Sequence, residues 1–492
     1  MIKDWASFKP AQPEFDVAII GGGSAGFAAA RTASCLGART VVIEGGAQVG
    51  GLCILRGCMP SKSLLESAHR WHEIGRAREF GLVAKPVEVN MKCIQARKQH
   101  LIGGFAAYRR KQLRQGKFTL VRGLASFLDA QTLLVTRGRK QELVTASTFI
   151  IATGSVITRV PVPGLWETGC LTSDTALDAD EIPKRLAVLG GGVIAVELGQ
   201  FFARVGSKTT ILQRSKQIVR NYDPDVSVEL ERAFKAEKID VRTGVKLLEV
   251  SQKGKGKGKK ILFQRGSKRE ELVVDEILYA MGRAPALAGL NLEKAGVALV
   301  EGKLPVNDRL ASSAPHIFAA GDAVGPHEVV HIAIQQGEMA ARNAVNHLRG
   351  NHGTPETIDY RLKALVTFTD PEIASVGLTE TEVKAQGIEY LSASYPFSDH
   401  GKAMIGGHEF GFVKLLAEKS RGEIIGAEII GPHASDLIHE LIAVMRYHGT
   451  AQELALMPHY HPTLAEIVTY PAEEIADQIV PNSVVEHALK HM

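Results

Sequence analysis

The sequence predicts a multidomain α/β protein that contains two Rossmann-like βαβ units. The first observation is a short apolar strand from Phe15 that runs into Gly-x-Gly-x-x-Gly over residues 21–26 and then into an alanine-rich stretch. The second is a later copy of this pattern, in which the apolar run 185–189 precedes Gly-x-Gly-x-x-Ala over 190–195. The third is the length of 492 residues, which exceeds what one hydrophobic core usually organises.

The first copy has the features of a dinucleotide-binding site. Its glycines, Gly21, Gly23 and Gly26, let the turn approach a pyrophosphate and let the helix pack closely on the strand. The helix N-terminus offers backbone amides to the phosphates. The next strand, 40–43, ends in Glu44, which lies eighteen residues after Gly26 and can accept from a ribose hydroxyl. The combination of strand, turn, helix, second strand and acid predicts a bound dinucleotide.

The second copy differs from the first at the ribose-binding position. Its small residues are Gly190, Gly192 and Ala195. The position that matches Glu44 is the neutral Gln213, which Arg214 follows directly and Arg220 follows after a short interval. A carboxylate would repel a 2′-phosphate, whereas guanidinium groups can bind one bidentately. The second site is therefore predicted to prefer NADPH over NADH, and the alternative is that both arginines are solvent-facing loop residues.

A pair of cysteines follows the first βαβ unit directly, in Gly-Gly-Leu-Cys-Ile-Leu-Arg-Gly-Cys-Met-Pro-Ser-Lys over residues 50–62. At a glycine-flanked helix start, Cys53 and Cys58 can come within bridging distance, and the helix N-terminus favours a thiolate. The alternatives are two buried cysteines or half of a metal site. The sequence has no second pair with metal-ligand spacing, so we expect no metal. The remaining cysteines are expected to be buried small hydrophobes: Cys35, Cys93 and Cys170.

Composition and charge exclude several classes of function. The net charge of +5 arises from 58 basic and 53 acidic residues spread over the chain, which is too diffuse to indicate nucleic-acid binding. The one basic run, 253–260, lies between two β-like stretches and is predicted to be a solvated hairpin tip. Residues 1–14 show no secretory signal, and no uninterrupted apolar run has membrane-spanning length. We therefore expect a cytoplasmic protein with no membrane partner, in which any disulfide is catalytic because the cytosol keeps ordinary thiols reduced.

A histidine motif near the C-terminus completes the candidate chemistry. The string Pro-His-Tyr-His-Pro-Thr-Leu-Ala-Glu spans residues 458–466. Thiol–disulfide exchange needs a proton donor for the departing thiol, and histidine suits that task near neutral pH. His461 is the candidate, and Glu466 can hold its imidazole in one tautomer. Because the chain has 17 histidines, the prediction depends on the whole string.

Together these motifs resemble the flavin-dependent pyridine nucleotide–disulfide oxidoreductases, the family of glutathione reductase, lipoamide dehydrogenase and mercuric reductase. The resemblance runs from about Phe15 to Glu473 and includes the segments 50–62, 151–155, 281–285, 317–322 and 461–466. It implies an FAD domain in 1–160 that resumes in 286–355, and an NADPH domain in 161–285. It also implies a C-terminal α+β dimerisation domain in 356–492.

The resemblance also implies roles for individual residues. Cys53 is expected to attack the substrate disulfide, and Cys58 is expected to face the flavin. Lys62 and Glu197 correspond to a pair beside the flavin ring, and Asp322 corresponds to the aspartate that binds the ribityl chain. Further cofactor-binding positions are Gly51, Thr153, Gly154 and Gly282.

Three functions are compatible with the resemblance. In the leading prediction the protein is a homodimer that reduces a small disulfide with NADPH, and His461 and Glu466 of one subunit complete the site of the other. The second is an NAD-linked lipoamide dehydrogenase, although that branch generally carries an acid at the Gln213 position. The third is a redox sensor or structural flavoprotein with little turnover. Mercury reduction is disfavoured because the C-terminus lacks a vicinal cysteine pair and because the histidine motif is present. Leu52 stands where the family usually has threonine, which is expected to alter contacts near the flavin.

Overall fold

The structure is a computed structural model that describes residues 12–85, 87–254, 258–325, 327–350 and 356–479. The chain divides into two compact units. The first unit draws on Met1–Ser61, Ala96–Arg159 and Gly282–Ile358, and the second on Lys62–Gln95, Val160–Met281 and Asp359–Met492.

The helices and strands alternate along much of the chain. Up to residue 159 they are β1 (Phe15–Ile20), α1 (Ser24–Cys35), β2 (Thr40–Glu44), α2 (Gly51–Arg56), α3 (Cys58–Arg76), α4 (Met91–Gln115), β3 (Thr119–Arg122), β4 (Leu124–Phe127), β5 (Thr132–Arg137), β6 (Lys140–Ile151) and β7 (Ser155–Ile157). Over 160–281 they are α5 (Leu165–Thr168), β8 (Leu171–Thr172), β9 (Arg185–Leu189), α6 (Val193–Arg204), β10 (Lys208–Leu212), α7 (Pro224–Ala236), β11 (Asp240–Arg242), β12 (Val245–Gln252), β13 (Lys259–Arg265), β14 (Lys268–Val274) and β15 (Glu276–Tyr279). From 282 onward they are β16 (Arg283–Pro285), β17 (Ile317–Ala319), α8 (Val330–Leu348), β18 (Ala364–Thr367), β19 (Glu372–Gly377), α9 (Glu380–Gln386), β20 (Tyr390–Pro396), α10 (Gly401–Ile405), β21 (Phe412–Glu418), β22 (Ile424–Gly431), α11 (Ala434–Arg446), α12 (Ala451–Leu456) and α13 (Thr469–Ile479).

The first unit is built on a parallel sheet in the order β3-β2-β1-β6-β17. β1 and β2 are short, mostly buried apolar runs, as expected for parallel strands that are covered on both faces. β6 extends beyond this sheet and forms an antiparallel meander with β5 and β4. The alanine-rich α1 packs closely on α8, because Gly337 has no side chain and a Cβ there would lie 2.2 Å from the carbonyl oxygen of Ala25.

The second unit contains a second parallel sheet in the order β11-β10-β9-β15-β8. Phe201, Phe202 and Phe234 are fully buried in the core around it. An antiparallel sheet, β12-β13-β14, follows in the chain. The C-terminal part is an antiparallel sheet in the order β18-β19-β22-β21-β20, on which α11 and α13 pack. The predicted fold class, with two Rossmann-like units and a C-terminal α+β part, is confirmed.

The prediction for the isolated cysteines is wrong for two of the three. Cys35 and Cys93 are exposed, and Cys170 is half-buried. Cys35 is the last residue of α1 and Cys93 lies in the first turn of α4, where each lies on the outer face of its helix.

The basic run lies on a β-hairpin, as predicted: β12 ends at Gln252, before the run, and β13 begins at Lys259, within it. Residues 255–257 of the run lie outside the described residues. The prediction that the run is solvated is wrong for Lys259, whose side chain is only 10% exposed and pairs with Glu276. None of the helices in the described ranges combines the length and the apolar character needed to cross a bilayer.

Candidate active site

The two glycine turns fold in the same way. Gly21 after β1 has φ +112°, and Gly190 after β9 has φ +113°. A Cβ on Gly21 would lie 2.3 Å from the carbonyl oxygen of Ala152, and one on Gly190 would lie equally close to that of Ala280. Only glycine combines this backbone conformation with so close an approach to the neighbouring strand. Because α1 and α6 begin just after the turns, their unpaired N–H groups are available to a phosphate at each turn.

The two turns face different side chains. Glu44, at the end of β2, accepts the N–H of Gly22 at 3.0 Å through Oε2, so its carboxylate is fixed beside the first turn. Gln213 follows β10 at the matching place, and its side chain lies against Gly191 of the second turn. Its amide donates to the hydroxyl of Ser215 at 2.6 Å. The acid of the first site is therefore matched by a neutral amide in the second.

The two candidate coenzyme arginines lie in the segment that begins after β10. Arg214 directly follows Gln213, and its backbone N–H donates to Oε1 of that glutamine at 3.1 Å. The side chains of Arg214 and Arg220 are both exposed. The segment after β10 thus carries exposed cationic side chains. At the matching place in the first βαβ unit, the end of β2, Glu44 provides a fixed carboxylate.

Two of the further predicted cofactor positions, Gly51 and Thr153, lie beside the first turn. A Cβ on Gly51, at the start of α2, would lie 2.7 Å from the Cα of Gly23. Gly154 and Gly282 both have positive φ, at +72° and +120°. The hydroxyl of Thr153 is buried and has no hydrogen-bond partner among the described residues. Such an unsatisfied group next to the turn fits a site that is completed by a ligand.

Asp322 belongs to a polar network that the sequence motifs only partly indicated. Its Oδ2 accepts from the Ser155 hydroxyl at 2.8 Å, and the Arg283 Nε donates to the same hydroxyl at 2.9 Å. Partial desolvation raises the pKa of Glu328, and the negative charge of Asp322 raises it further. Ser155 and Arg283 lie within the motif segments 151–155 and 281–285, but Glu328 has no sequence signal of its own.

The two cysteines lie on consecutive helices. Cys53 is in α2 and Cys58 is the first residue of α3, and both are half-buried. Gly57 separates the helices, and a Cβ there would lie 3.2 Å from the Cα of Cys53. The chain therefore folds back tightly between the two cysteines, and Cys58 occupies a helix N-terminus, where a thiolate is favoured.

Arg109 on α4 is a cation near Cys53 that the sequence motifs missed. Its guanidinium carbon lies 4.2 Å from the centroid of the Phe27 ring, and its Nε is buried with no partner in the described part of the chain. Burial lowers the pKa of Arg109, and a negative charge at Cys53 opposes this shift. A nearby cation favours the thiolate form of a cysteine. No local spacing connects two residues so far apart in the chain.

In the second unit, the structure brings Lys62 and Glu197 together. The Lys62 ammonium lies 2.8 and 3.0 Å from the two carboxylate oxygens of Glu197. Glu197 is only 3% exposed and also accepts the backbone N–H of Phe368 at 2.8 Å. Its buried charge is therefore paired and hydrogen-bonded, as a buried charge requires.

The structure also brings His461 and Glu466 together. The Nδ1 of His461 lies 3.0 Å from Oε2 of Glu466. His461 is 80% exposed and Glu466 is 12% exposed, so the carboxylate is held at the surface of its domain beneath a largely open imidazole. The other carboxylate oxygen lies near the fully buried His400, which no sequence motif indicated.

Comparison with known proteins covers almost the whole chain. Residues 15–337 match the family of pyridine nucleotide-disulphide oxidoreductases. The chain belongs to this family. Residues 364–472 match the dimerisation domain of the pyridine nucleotide-disulphide oxidoreductases, so both parts of the family architecture are present.

Individual members of the family are similar over their full length. Dihydrolipoyl dehydrogenase from Geobacillus stearothermophilus is 33% identical over 462 residues, which cover 94% of this chain and 96% of the relative. The enzyme of the same name from Thermus scotoductus is 36% identical over 478 residues, which cover 95% and 98%. The HOCl-induced flavoprotein disulfide reductase RclA from Escherichia coli, solved as a Cu(II) complex, has a TM-score of 0.82 at 25% identity and covers 94% and 100%. The protein is a flavoprotein oxidoreductase that acts on sulfur groups with a pyridine nucleotide.

Proposed function

We propose that the protein reduces a small disulfide with electrons from NADPH. The observation that supports this coenzyme is the second glycine turn, where Gln213 replaces an acid and the exposed Arg214 and Arg220 follow. A 2′-phosphate bound there would lie near the positive charges of Arg214 and Arg220, and the neutral Gln213 would not repel it. The coenzyme turn itself consists of Gly190, Gly192 and Ala195.

The first turn has the residues to hold FAD. Gly21, Gly23 and Gly26 would hold its pyrophosphate against the N-terminus of α1, and Glu44 would accept from its ribose. Asp322 would bind the ribityl chain, and the remaining contacts would come from Gly51, Thr153, Gly154 and Gly282. Bound FAD would supply the two-electron relay between the nicotinamide and the cysteine pair. Lys62, paired with Glu197, would place its ammonium beside the flavin ring.

The cysteines would carry out the exchange with the substrate. The Cys53 thiolate attacks one sulfur of the substrate disulfide and forms a mixed disulfide, while the other substrate sulfur leaves as a thiol. Cys58 then attacks the sulfur of Cys53, which releases the second substrate thiol and forms the Cys53–Cys58 disulfide. In a homodimer, His461 of one subunit would give its proton to the departing substrate thiolate in the site of the other, so that it leaves as a thiol, with Glu466 orienting the imidazole.

A second candidate is dihydrolipoyl dehydrogenase, which is the name of the Geobacillus and Thermus relatives. The same cysteines and histidine would then catalyse the reaction in the opposite direction, in which a dithiol is oxidised and NAD is reduced. That branch generally has an acidic residue at the position of Gln213, where it binds the coenzyme ribose, and this chain has a neutral amide there followed by Arg214.

A coenzyme and substrate panel tests the proposal. The purified protein should be yellow and should release FAD on denaturation. NADPH should support reduction of at least one disulfide, among lipoamide, glutathione disulfide and other small disulfides, more than about tenfold better in kcat/KM than NADH, because the phosphate contacts are charge-assisted. If the protein oxidises dihydrolipoamide with NAD faster than it reduces any disulfide with NADPH, the second candidate is favoured. Colourless protein that takes up no FAD would contradict both candidates.

A further inference from the structure

His400, between β20 and α10, is a buried histidine behind the His461–Glu466 pair. Its side chain is 0% exposed. Its Nδ1 accepts the backbone N–H of Ala403 at 3.4 Å, so the side chain caps the start of α10. Its Nε2 lies 3.4 Å from Oε1 of Glu466, whose Oε2 lies 3.0 Å from His461. One carboxylate therefore lies between two imidazoles.

The hydrogen bonds of His400 determine its tautomer. Because Nδ1 accepts a backbone N–H, it carries a lone pair, and a neutral ring then has its proton on Nε2. That Nε2 is buried and makes no regular hydrogen bond within the described ranges. The Oε1 of Glu466 is the carboxylate oxygen that lies close enough to accept this proton. The attraction between this N–H and the charged carboxylate is electrostatic at this distance.

Aromatic packing fixes the plane of the His400 ring. The ring meets Tyr470 edge-to-face, with centroids 6.0 Å apart and an interplanar angle of 86°. Tyr470 in turn stacks on Tyr395, with centroids 4.2 Å apart, and the Tyr395 hydroxyl bonds to Asp399. Rotation of the imidazole away from Glu466 would disrupt this packing.

Burial favours the neutral form of the His400 ring. Burial lowers the pKa of His400, the charge of Glu466 opposes that shift, and a positive charge on His461 adds to it. Glu466, His461 and the neighbouring Tyr470 are ionisable groups close to the ring.

We infer that His400 is a positioning residue for the His461–Glu466 pair: its Nε2–H holds one oxygen of Glu466 so that the other faces His461. The inference rests on the proposed role of His461 as proton donor. His400 touches neither substrate nor cysteine, and it acts only through Glu466. A second donor on the carboxylate limits the orientations that Glu466 can adopt, and hence those of the imidazole.

Two substitutions separate the capping role of His400 from its contact with Glu466. His400→Asn keeps a good N-cap but is too short to reach the carboxylate, whereas His400→Gln places an N–H close to the position of Nε2. We expect His400→Asn to slow reoxidation of the reduced enzyme by a disulfide about tenfold. This loss is smaller than the rate enhancement of about 10²–10⁴ that general acid–base catalysis typically supplies, because His461 itself remains. Flavin reduction by NADPH should not change. His400→Gln should recover most of the rate.

A double-mutant cycle shows whether His400 acts through Glu466. In a Glu466→Gln background, His400→Asn should cause little further loss, because the residue it positions is already altered. The same tenfold loss in both backgrounds, or no recovery in His400→Gln, would overturn the inference. If His461→Ala itself leaves disulfide turnover unchanged, the proposed function of His461 fails instead.

A measurement without turnover tests the contact itself. Ring-¹⁵N NMR of histidine-labelled holoenzyme should show a protected Nε2–H signal that His400→Gln removes and Glu466→Gln shifts upfield. A proton on Nδ1, or a signal that Glu466→Gln leaves in place, would show that His400 does not hold the carboxylate.

Discussion

At the residue scale, the side chain that ends the second strand of each βαβ unit determines the charge that the turn presents. Glu44 is fixed by the N–H of Gly22, so the first turn meets a negative charge. Gln213 is neutral and bonds within its own loop, while Arg214 and Arg220 are exposed. Because the two turns otherwise have the same backbone geometry, this difference supports different ligands for the two sites.

We predict that replacing Arg214 and Arg220 together by alanine raises the KM for NADPH about 10–100-fold, which corresponds to a loss of about 1.4–2.7 kcal/mol for the two charge-assisted contacts together. The KM for NADH should change little. Steady-state kinetics with both coenzymes measures the effect. Lys208→Ala is the matched control, since Lys208 is an exposed cation at the opposite end of β10. Equal losses for NADPH and NADH would show that the arginines do not contact the 2′-phosphate.

At the element scale, the first turn depends on close packing between α1 and the end of β1. A Cβ on Gly26 would lie 1.8 Å from the carbonyl oxygen of Gly21. We predict that Gly26→Ala forces the helix away from the turn, reduces the bound FAD and costs about 1–3 kcal/mol of stability. Flavin content and the thermal midpoint measure both effects. Gly104→Ala in α4 meets open space, so it should keep full flavin content and should not lower the thermal midpoint, since alanine favours the helix. Full flavin content in Gly26→Ala would contradict the account.

Sequence patterns predicted those parts of the structure that depend on neighbours along the chain. The strands, glycine turns and helices of both βαβ units follow from apolar runs and glycine spacing over a few residues. The contacts of Arg109 with Phe27 and of His400 with Glu466 join residues from distant segments, so no local pattern indicates them. Cys35 is exposed, although burial was predicted. Burial depends on which face of a helix packs on the core, and a single cysteine in the sequence does not indicate that face.

An ion cluster, buried except for Asp225, joins the N-terminus of α7 to β21 and β22. The Lys414 ammonium lies 2.8 Å from Asp223, 2.9 Å from Asp225 and 3.1 Å from Glu428. Among the described residues, these three carboxylates form the group with metal-ligand spacing, and the ammonium lies against all three of them. Burial raises the pKa of Glu428 to about 7, although Lys414 opposes the shift.

The Glu428 shift predicts a pH dependence of stability. In the folded protein the Glu428 carboxyl group stays protonated up to about pH 7, whereas in the unfolded chain it loses its proton near pH 4.5. The stabilisation that this proton provides is therefore complete below about pH 4.5 and is lost as the pH rises to about 7. Glu428→Gln should therefore make the fall in thermal midpoint from about pH 5 to 8 shallower. Calorimetry measures the slope. Glu389→Gln, at an exposed site, is the control, and parallel slopes for wild type and Glu428→Gln would contradict the prediction.

At the scale of the whole molecule, the proposed homodimer places Cys53 and His461 of one chain in different active sites. We predict that Cys53→Ser and His461→Ala homodimers are both nearly inactive in disulfide reduction, and that mixed dimers regain activity because one site then has both groups. Reversible dissociation and remixing, with mixed dimers quantified by a tag on one chain, provides the measurement. Mixed dimers that form but stay inactive would show that the two groups do not meet between subunits.

The proposed function requires above all that NADPH deliver its electrons to Cys53 and Cys58. The direct measurement is anaerobic treatment of the FAD-loaded protein with one equivalent of NADPH, followed by iodoacetamide and mass spectrometry of the cysteine peptides. We predict that labelling of Cys53 and Cys58 rises quickly after NADPH and far more slowly after NADH. The exposed Cys35 and Cys93 should be labelled equally with and without coenzyme. Labelling of Cys53 and Cys58 that NADPH leaves unchanged, or that NADH increases as quickly, would contradict the account.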